Sequence, residues 1–323
     1  MAISSDQAVG ALRAAAEPTR LRILALLSRE ELAVLELCRI LGQSQPRVSR
    51  HLKLLAEAGL VERFPDGAWV FYRLSRASPV RGLADQILAL IAEDDPTLAR
   101  DAARLAGVAE ERAQQASQYF AENAARWDEI RSLYTAEDAV EAAILRMAGD
   151  GPFDRVVDLG SGTGRMLTLL GERARSGVGL DLSRQMLNIA RAQVASAGLK
   201  AFELRHGDIL ATGLGEGEAD LVVIHQVLHY LADPGAAVAE AARLVRPRGR
   251  LLIVDFAPHD LEFLRSEHRH RRLGFSDMEM ERWLAEAGLA APRTESLPPS
   301  APGGLTVKIW GAERQAARLR RIA

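Results

Sequence analysis

Apolar and polar positions follow different periods in the two parts of this chain. Up to about residue 92, apolar residues recur at spacings of three and four, which predicts short amphipathic helices. Residues 17–27 and 34–41 predict two of these helices, and Ser44 is placed to cap a third that runs to about residue 60. Because Gly42 breaks the chain between the second and third helices, the pattern indicates a helix-turn-helix.

A hairpin pattern follows the third helix. Residues 61–74 predict two strands joined around Pro65-Asp66-Gly67, and a hairpin after a helix-turn-helix indicates a winged helix. The apolar residues Val80, Leu83, Ile87 and Leu90 then share one helical face. This seam suits dimer packing, although it can instead cover its own domain.

From residue 153 onward, short apolar runs alternate with amphipathic helical stretches, which is typical of a parallel sheet covered on both faces. The predicted strands are 156–159, 178–182, 202–208, 220–228, 250–256 and 305–310. A charged, proline-containing break at 93–97 separates the two parts. We therefore predict an α/β chain with a winged helix-turn-helix domain at 1–92, a helical linker and lid at 93–150, a Rossmann-like domain at 151–311 and a basic tail at 312–323.

Composition places these domains in a reducing, aqueous setting. The 323 residues suffice for two cores, and the single cysteine, Cys38, excludes a disulfide within the chain. No signal-peptide layout or run of about 18 apolar residues is present, so we expect a cytoplasmic protein without membrane contact. Although the chain has a net charge of −2, residues 39–81 carry eight Lys or Arg against three acids, a local excess of five positive charges.

The positive residues of this first part lie where a winged helix contacts DNA. Arginine and glutamine on a helix suit base edges and phosphates in the major groove, while a solvated helix face is the simpler alternative. The predicted DNA contacts are Gln45, Arg47, Ser49, Arg50, His51 and Lys53 on the third helix, with Arg63 and Arg73 in the hairpin.

The segments PTRLRILALL, ELC and QSQPRVSRHLKLLAEAGLVE, with the hairpin, resemble the ArsR family of bacterial repressors over about residues 8–92. This resemblance implies a homodimer that binds double-stranded operator DNA. Many members sense metals through a Cys-x-Cys in the ELC helix, but here Ile40 occupies the second ligand position after Cys38. A single thiolate cannot build a soft-metal site, so we predict no metal.

The second part contains a glycine-rich loop, VVDLGSGTG, at residues 156–164. Alternating glycines between an apolar strand and a helix are typical of a nucleotide-binding βαβ unit. A dinucleotide fingerprint would need Gly where Arg165 stands, and a P-loop would need a Gly-Lys-Ser/Thr that is absent. The remaining Asp-x-Gly-x-Gly-x-Gly resembles motif I of class I S-adenosylmethionine-dependent methyltransferases, over about residues 115–311. Residues 119–134 resemble the lid helix of members that methylate small molecules.

This resemblance implies binding of S-adenosylmethionine or S-adenosylhomocysteine. Asp181 ends the second strand, 23 residues after Asp158, where an acid can accept hydrogen bonds from ribose hydroxyls. The family places an acid such as Asp208 near the adenine amino group. The predicted ligand contacts are Asp158, Gly160, Ser161, Gly162, Gly164, Asp181, Leu182, Met186, Asp208, Ile209, His225 and Gln226.

Five histidines fall close together in this part, at positions 225, 229, 259, 268 and 270. A metal site, a basic rim for an anionic group and an ordinary solvated helix are the alternatives. The surrounding arginines disfavour a metal cation, and the solvated helix is favoured. His229, His259 and His268 are weak general-base candidates.

Two functions remain open. The first is a DNA-binding regulator, a repressor, whose methyltransferase-like domain binds one of the two S-adenosyl ligands as an effector. This layout is similar to that of ArsR-type regulators that respond to S-adenosylhomocysteine and control methionine and methyl-cycle genes. The second is an active methyltransferase of a small-molecule acceptor. We favour the regulator, because the motif indicates ligand occupancy more directly than turnover.

Overall fold

The computed structural model describes residues 3–66, 69–75, 80–92, 94–123, 137–299 and 304–315. Contacts along the chain divide it into two units, residues 1–115 and 116–323. The division falls inside the segment predicted as a linker. The central and C-terminal parts of the predicted lid (124–136) and most of the predicted tail (316–323) lie outside the described residues.

The first unit is a small helical domain with a three-stranded sheet. That sheet has the order β1-β3-β2, and both strand pairs are antiparallel. Its elements are α1 (Ser5–Ala15), α2 (Pro18–Leu27), β1 (Leu32–Ala33), α3 (Val34–Leu41), α4 (Gln45–Glu57), β2 (Val61–Asp66), β3 (Trp69–Leu74) and α5 (Arg81–Ala89), with α6 (Pro96–Asn123) beginning in this unit.

The turn between α3 and α4 forms where the sequence predicted it. Gly42 adopts a left-handed conformation with φ of 67°, which a residue without a Cβ reaches at little cost. Ser44 precedes α4 with extended backbone, but its side chain forms no capping hydrogen bond, contrary to expectation. Val48, Leu52 and Leu55 of α4 are fully buried against the core of the unit, which leaves the opposite face of the helix to solvent.

The N-terminal half of α6 packs into the first unit. Asp95 Oδ1 accepts hydrogen bonds from the N–H groups of Thr97 and Leu98 at 3.0 and 2.9 Å and so caps this helix. Further along, Leu105 and Val108 are buried in the same apolar cluster as α1 to α5. This part of the predicted linker is therefore built into the core of the first unit.

The second unit contains a seven-stranded sheet with the order β6-β5-β4-β7-β8-β10-β9. Strands β4 to β8 pair in parallel, and β10 pairs antiparallel with β8 and β9. The strands are β4 (Phe153–Leu159), β5 (Ala174–Asp181), β6 (Phe202–His206), β7 (Ala219–His225), β8 (Val245–Phe256), β9 (Arg293–Leu297) and β10 (Val307–Glu313). The α-helices are α7 (Glu137–Ala148), α8 (Arg165–Leu170), α9 (Arg184–Ser196), α10 (Pro234–Leu244), α11 (Phe263–Glu267) and α12 (Asp277–Glu286), and short 3-10 turns span Gly171–Arg173 and Leu228–Tyr230.

The central strands are buried by apolar clusters that contain different residues of the same strands. Val157 and Leu159 belong to one cluster, whereas Val156 of the same strand belongs to another. This alternation agrees with a sheet covered on both faces. Two predicted strand ends were too long: β7 stops at His225, since Gln226 has a φ of 54°, and β6 stops at His206. Strand β9 was missed because its residues Arg293–Leu297 are polar and none is buried.

A half-buried acid, Glu240, fastens the segment between β6 and β7 to α10. The N–H and Oγ1 of Thr212 donate to Glu240 Oε1 at 3.2 and 2.6 Å, and Arg243 Nη2 donates to the same oxygen at 2.7 Å. The hydrogen bond from Arg243, followed by those from Thr212, outweighs burial and lowers the pKa of Glu240 to about 2. Glu240 is thus held as a carboxylate across the neutral pH range.

Among the described residues, the longest helices are too polar or too short to cross a bilayer.

Candidate functional site

The exposed face of α4 carries most of the side chains predicted to meet DNA. Gln45, Arg47, Arg50 and Lys53 are exposed, Ser49 is half-buried, and Arg63 is exposed on β2. On α4, the cations Arg47, Arg50 and Lys53 lie on the face opposite the one that packs on the core. This arrangement leaves the exposed face of the helix free to enter the major groove of DNA.

Two of the predicted DNA contacts, Arg73 of the hairpin and His51 of α4, already face carboxylates of the first unit. The Arg73 side chain is only 12% exposed, because it pairs with Glu31 at 3.0 Å and also with Glu62. Burial lowers the pKa of Arg73, but the two carboxylates outweigh it and raise the pKa overall. The Arg73 guanidinium is therefore already paired within the unit, and its contact with DNA stays a prediction. His51 turns back towards α2, where its Nδ1 lies 3.4 Å from Glu17 Oε2.

In the second unit, the glycine loop that links β4 to α8 has three glycines with left-handed backbone. Gly160, Gly162 and Gly164 have φ values of 76°, 50° and 86°, which side chains rarely tolerate. A Cβ on Gly160 would lie 2.4 Å from Val227 Cγ2, and one on Gly164 would lie 3.0 Å from Ala190 Cβ. The loop therefore needs glycine for conformation and also for close packing.

The loop is attached to the end of β5. The N–H groups of Gly160 and Ser161 both donate to Leu180 O at 2.8 Å. Gly162 N–H donates to Asp181 Oδ2 at 2.8 Å, and Ser183 N–H donates to Asp181 Oδ1 at 2.7 Å. Burial raises the pKa of Asp181, although these two hydrogen bonds oppose it. The carboxylate is thus fixed at the carboxyl edge of the sheet, beside the loop.

The other predicted ligand contacts differ in accessibility. Leu182 is 57% exposed immediately after β5, whereas Met186 is 2% exposed and packs within the unit. Asp208 is exposed and accepts a hydrogen bond from Leu210 N–H at 2.9 Å, while Ile209 is buried. Asp158 is 1% exposed within β4, so it supports the loop from beneath rather than from its surface.

The end of β7 brings a strained residue to the same edge. Gln226 has positive φ, and its N–H donates to Val254 O at 2.7 Å. Non-glycine residues held in this region cluster at functional sites. His225, which precedes Gln226, is half-buried, and Val227, which follows it, is the residue that closes on Gly160.

Two features of this edge escaped prediction. His206 Nε2 lies 3.0 Å from Leu182 O, beside Asp181, and its position just before the predicted Asp208 motif was an available signal. Arg165 Nε and Nη2 each donate to one oxygen of Glu141 at 2.6 Å, which joins the start of α8 to α7. No sequence signal marks this second pairing, because 24 residues separate its partners.

Two of the five clustered histidines are buried and three are half-buried, contrary to the favoured prediction of a solvated helix. His229 is 2% exposed and His270 is 7% exposed. His229 Nδ1 lies 2.8 Å from Asp255 Oδ1, and the His229 and His270 rings are 4.1 Å apart. Within the described part of the chain, no group of three or more His, Cys, Asp or Glu converges as metal ligands would.

The residues at the sheet edge fit an S-adenosyl ligand. The loop offers backbone without side chains, and the Ser161 hydroxyl is buried with no hydrogen-bond partner among the described residues. A fixed carboxylate at Asp181 and an exposed apolar side chain at Leu182 adjoin it. A ribose and an adenine ring require such a combination of acceptor and apolar surface.

Comparisons with known proteins match the two units separately. Residues 17–63 match the family described as bacterial regulatory protein, arsR family, and residues 157–253 match the family described as methyltransferase domain. The chain is 54% identical over 65 residues to the arsenical resistance operon repressor of Escherichia coli strain K12, covering 20% of this chain and 56% of that protein. It is 40% identical over 96 residues to the arsenic resistance transcriptional regulator ArsR1 of Pseudomonas putida, covering 29% of this chain and 74% of that protein.

A structural likeness concerns the second unit's fold. A chain of the solved Haloferax volcanii complex between the Trm112 methyltransferase activator and a methyltransferase aligns with a TM-score of 0.50 and 23% identity. The alignment covers 61% of this chain and 97% of that one.

The chain spans about half the length of the first curated relatives it matches, at 45% and 56%.

Proposed function

Since the chain belongs to the arsR family of bacterial regulatory proteins and carries a methyltransferase domain, we propose that it is a transcriptional repressor controlled by an S-adenosyl ligand. S-adenosylhomocysteine or S-adenosylmethionine would bind the second unit and act as the effector. The observation that carries the proposal is the presence, in one chain, of an exposed basic helix α4 and a glycine loop with Asp181 at its side. The protein would act in the cytoplasm.

In the proposal, α4 lies in the major groove of double-stranded operator DNA. Gln45, Arg47 and Arg50 read base edges, and Lys53 and Arg63 contact phosphates. Ser49 lies between these side chains. Because His51 already faces Glu17, it contributes through the placement of α4 rather than through a direct contact.

A homodimer supplies the second half-site contact. The apolar side chains of Val9, Leu12 and Leu90 are 45%, 47% and 86% exposed. They lie on α1 and directly after α5, two helices that contact each other in the first unit. By contrast, Val80 of the predicted seam is 4% exposed and packs on its own unit, so the proposed interface uses only the end of that seam.

The effector would bind at the carboxyl edge of the sheet. Because Gly160, Gly162 and Gly164 lack side chains, the effector can come close to the backbone of the loop. The Ser161 hydroxyl lies between these glycines. Asp181 accepts from the ribose, Asp208 accepts from the adenine amino group, and Leu182 contacts the ring. Met186, Ile209 and Asp158 form the packing beneath, and His225 and Gln226 border the opening.

The effector changes DNA affinity if it prefers one state of the protein, and the preference is reciprocal. The helices between residues 93 and 150 connect the two units in sequence and are the proposed route. The genes controlled would be those of methionine and methyl-group metabolism, for which either S-adenosyl ligand is a direct measure of supply or use.

Calorimetry and DNA binding together test the proposal. Full-length protein is titrated with each S-adenosyl ligand, and then with DNA from upstream of its own gene, with and without saturating ligand. We expect the DNA dissociation constant to change by about fivefold or more. An unchanged DNA dissociation constant at saturating ligand overturns the effector role. Failure to bind DNA at all, beside intact ligand binding, overturns the repressor role.

A second candidate function, methyl transfer to a small-molecule acceptor, is favoured by one observation. The buried pair of His229 and Asp255 resembles a general base held by a carboxylate. Turnover of labelled S-adenosylmethionine with an acceptor present distinguishes this function from effector binding alone.

A further inference from the structure

A buried imidazole cluster adjoins the proposed ligand site. The Leu228–Tyr230 turn follows β7, and His229 in this turn meets Asp255 at the end of β8. Val227, two residues before His229, is the side chain packed against Gly160. The cluster therefore lies at the same carboxyl edge of the sheet as the glycine loop.

The contacts of His229 orient its ring. Asp255 Oδ1 lies 2.8 Å from His229 Nδ1 and also accepts the N–H of Phe256 at 2.8 Å. Nδ1 faces this carboxylate, so Nε2 is the ring nitrogen left to meet a further hydrogen-bonding partner. Within the described part of the chain, His229 forms no hydrogen bond through Nε2.

Flat rings surround this imidazole. The His229 ring centroid lies 4.1 Å from that of Tyr230, 5.1 Å from that of Phe256 and 4.1 Å from that of His270. His270 is buried, and its Nδ1 has no hydrogen-bond partner among the described residues. Burial, with nearby positive charges, holds the pKa of His270 far below its ordinary range, so this ring is a neutral hydrogen-bonding group.

We propose that this cluster binds a small phenol or enol and that His229 Nε2 accepts its hydroxyl proton. The ligand's O–H bond breaks, its electron pair remains on oxygen, and the proton forms a bond to Nε2. The resulting imidazolium faces the Asp255 carboxylate, while the phenolate or enolate remains among the rings. Charge is conserved, because a neutral acid and a neutral imidazole become an anion and a cation.

The surroundings favour an acidic hydroxyl over a cationic amine. Asp255 already faces His229. The charged or titratable groups around the cluster also include Arg265, Arg271, Arg272, His259, His268 and Tyr230. The Arg265 guanidinium favours an anionic product over a cation. The aromatic faces of Tyr230 and Phe256 suit a planar ring. A phenolate is also the nucleophilic form that an O-methyltransferase requires of its acceptor.

Binding and deprotonation of a phenol or enol go beyond the proposed role as a regulator. They would serve the second candidate function, methyl transfer, but can be measured without it. Its test contains no S-adenosyl ligand and no DNA, so its failure is separate from failure of either function. The probe is 4-nitrophenol, whose phenolate absorbs visible light and whose neutral form does not. Full-length protein is titrated into the probe at a pH below the probe's own pKa.

We expect the phenolate-to-phenol ratio of bound probe to exceed that of free probe about tenfold. His229→Asn retains an amide N–H for Asp255 but lacks Nε2, so it should return the ratio to that of free probe. Asp255→Asn should lose most of the increase, and Arg175→Ala, an exposed residue at the opposite edge of the sheet, should match the unmodified protein.

Circular dichroism of each variant tests folding, and His229→Gln replaces His229→Asn if the latter is unfolded. Probe that binds as the neutral phenol, or probe that does not bind, overturns the proposal with the unmodified protein alone. An equal phenolate signal in a folded His229 variant also overturns it.

Discussion

Arg22 of α2 and Asp101 of α6 form a two-point ion pair within the first unit. Nε lies 2.5 Å from Oδ2 and Nη2 lies 2.7 Å from Oδ1, while the Asp101 side chain is 3% exposed. The hydrogen bond from Asp101 raises the pKa of Arg22, against the effect of burial. The pair attaches the start of the long helix α6 to the body of the first unit.

Asp101→Ala should therefore destabilise the first unit by about 2–4 kcal/mol, because it leaves Arg22 partly buried without its partner. Urea unfolding of the full chain, followed by a probe in the first unit, measures this change. Glu111→Gln is the matched control, since it breaks the Arg39–Glu111 pair whose side chains are 59% and 51% exposed. That control should cost about 0.5 kcal/mol or less, and equal costs for both variants would contradict the role given to Asp101.

Arg47→Ala and Arg50→Ala should each weaken operator binding by about 1–3 kcal/mol if they read bases. Lys53→Ala should weaken binding less and reduce the salt dependence by about one counterion. Fluorescence anisotropy with labelled DNA at several salt concentrations measures both effects. Arg29→Ala, an exposed charge outside α4, is the control, and S-adenosyl ligand affinity should be unchanged in all four variants.

Gly160→Ala and Gly213→Ala separate conformational strain from steric overlap. Both glycines have positive φ, at 76° and 67°, but only a Cβ on Gly160 meets another side chain, Val227, at 2.4 Å. We expect Gly213→Ala to cost about 1–2 kcal/mol and Gly160→Ala about 1–3 kcal/mol more. Urea unfolding gives the free energies, and calorimetry should find ligand affinity reduced only in Gly160→Ala. Equal costs would mean that Val227 moves aside.

Glu240 predicts a pH dependence of stability in the second unit. Its pKa falls from 4.5 to about 2 on folding, so its contribution is present above pH 4.5 and is lost as pH falls towards 2. Glu240→Gln should cost up to about 3 kcal/mol at neutral pH, and the difference from the unmodified protein should shrink through this acid window.

Urea midpoints at a series of pH values measure the effect of Glu240. Glu203→Gln is the control. The hydrogen bond from Arg205 also lowers the pKa of Glu203, but this side chain is exposed, so solvent screens the interaction. It should show no resolvable change. A Glu240 difference that stays constant with pH would exclude the ion pair as its source.

Glu141→Gln tests whether the start of α8 is coupled to α7. The substitution weakens the two-point contact with Arg165 and should reduce the ligand's effect on operator affinity by about 0.5–2 kcal/mol. Ligand affinity and ligand-free operator affinity should change less. Asp154→Asn, which removes an exposed partner of Arg175, is the control, and a full ligand response in Glu141→Gln would exclude this contact from the route.

The family resemblance and the fold class predicted from sequence are confirmed, because both rest on patterns that local residues impose. Helical period and Gly42 predicted the helix-turn-helix, and the glycine loop follows the predicted first strand. The pairing of Arg73 with Glu31 and Glu62 could not be predicted, because Glu31 lies before β1 and Glu62 lies on the adjacent strand, and the sequence does not show that they meet.

The glycines and acids of the candidate site could be predicted from the sequence. The side chains that pack around them could not. Asp181 follows from its place at a strand end, whereas the contact of Val227 with Gly160 requires the fold. The burial of His270 also could not be read from local polarity, because its neighbours Arg269, Arg271 and Arg272 are charged. The identities of the DNA contacts and ligand contacts stay predictions until the variants above are measured.

The helix α6 sets where the winged-helix domain can be separated from the rest of this protein. Its residues Asp101, Leu105 and Val108 complete the core of the first unit, although they lie beyond the apparent end of the winged helix at residue 92. A gene fusion that keeps only the first 92 residues would leave apolar core surface open to water and invite aggregation. A fusion joined after the buried turns of α6 would carry the first unit with its core intact to a new partner domain.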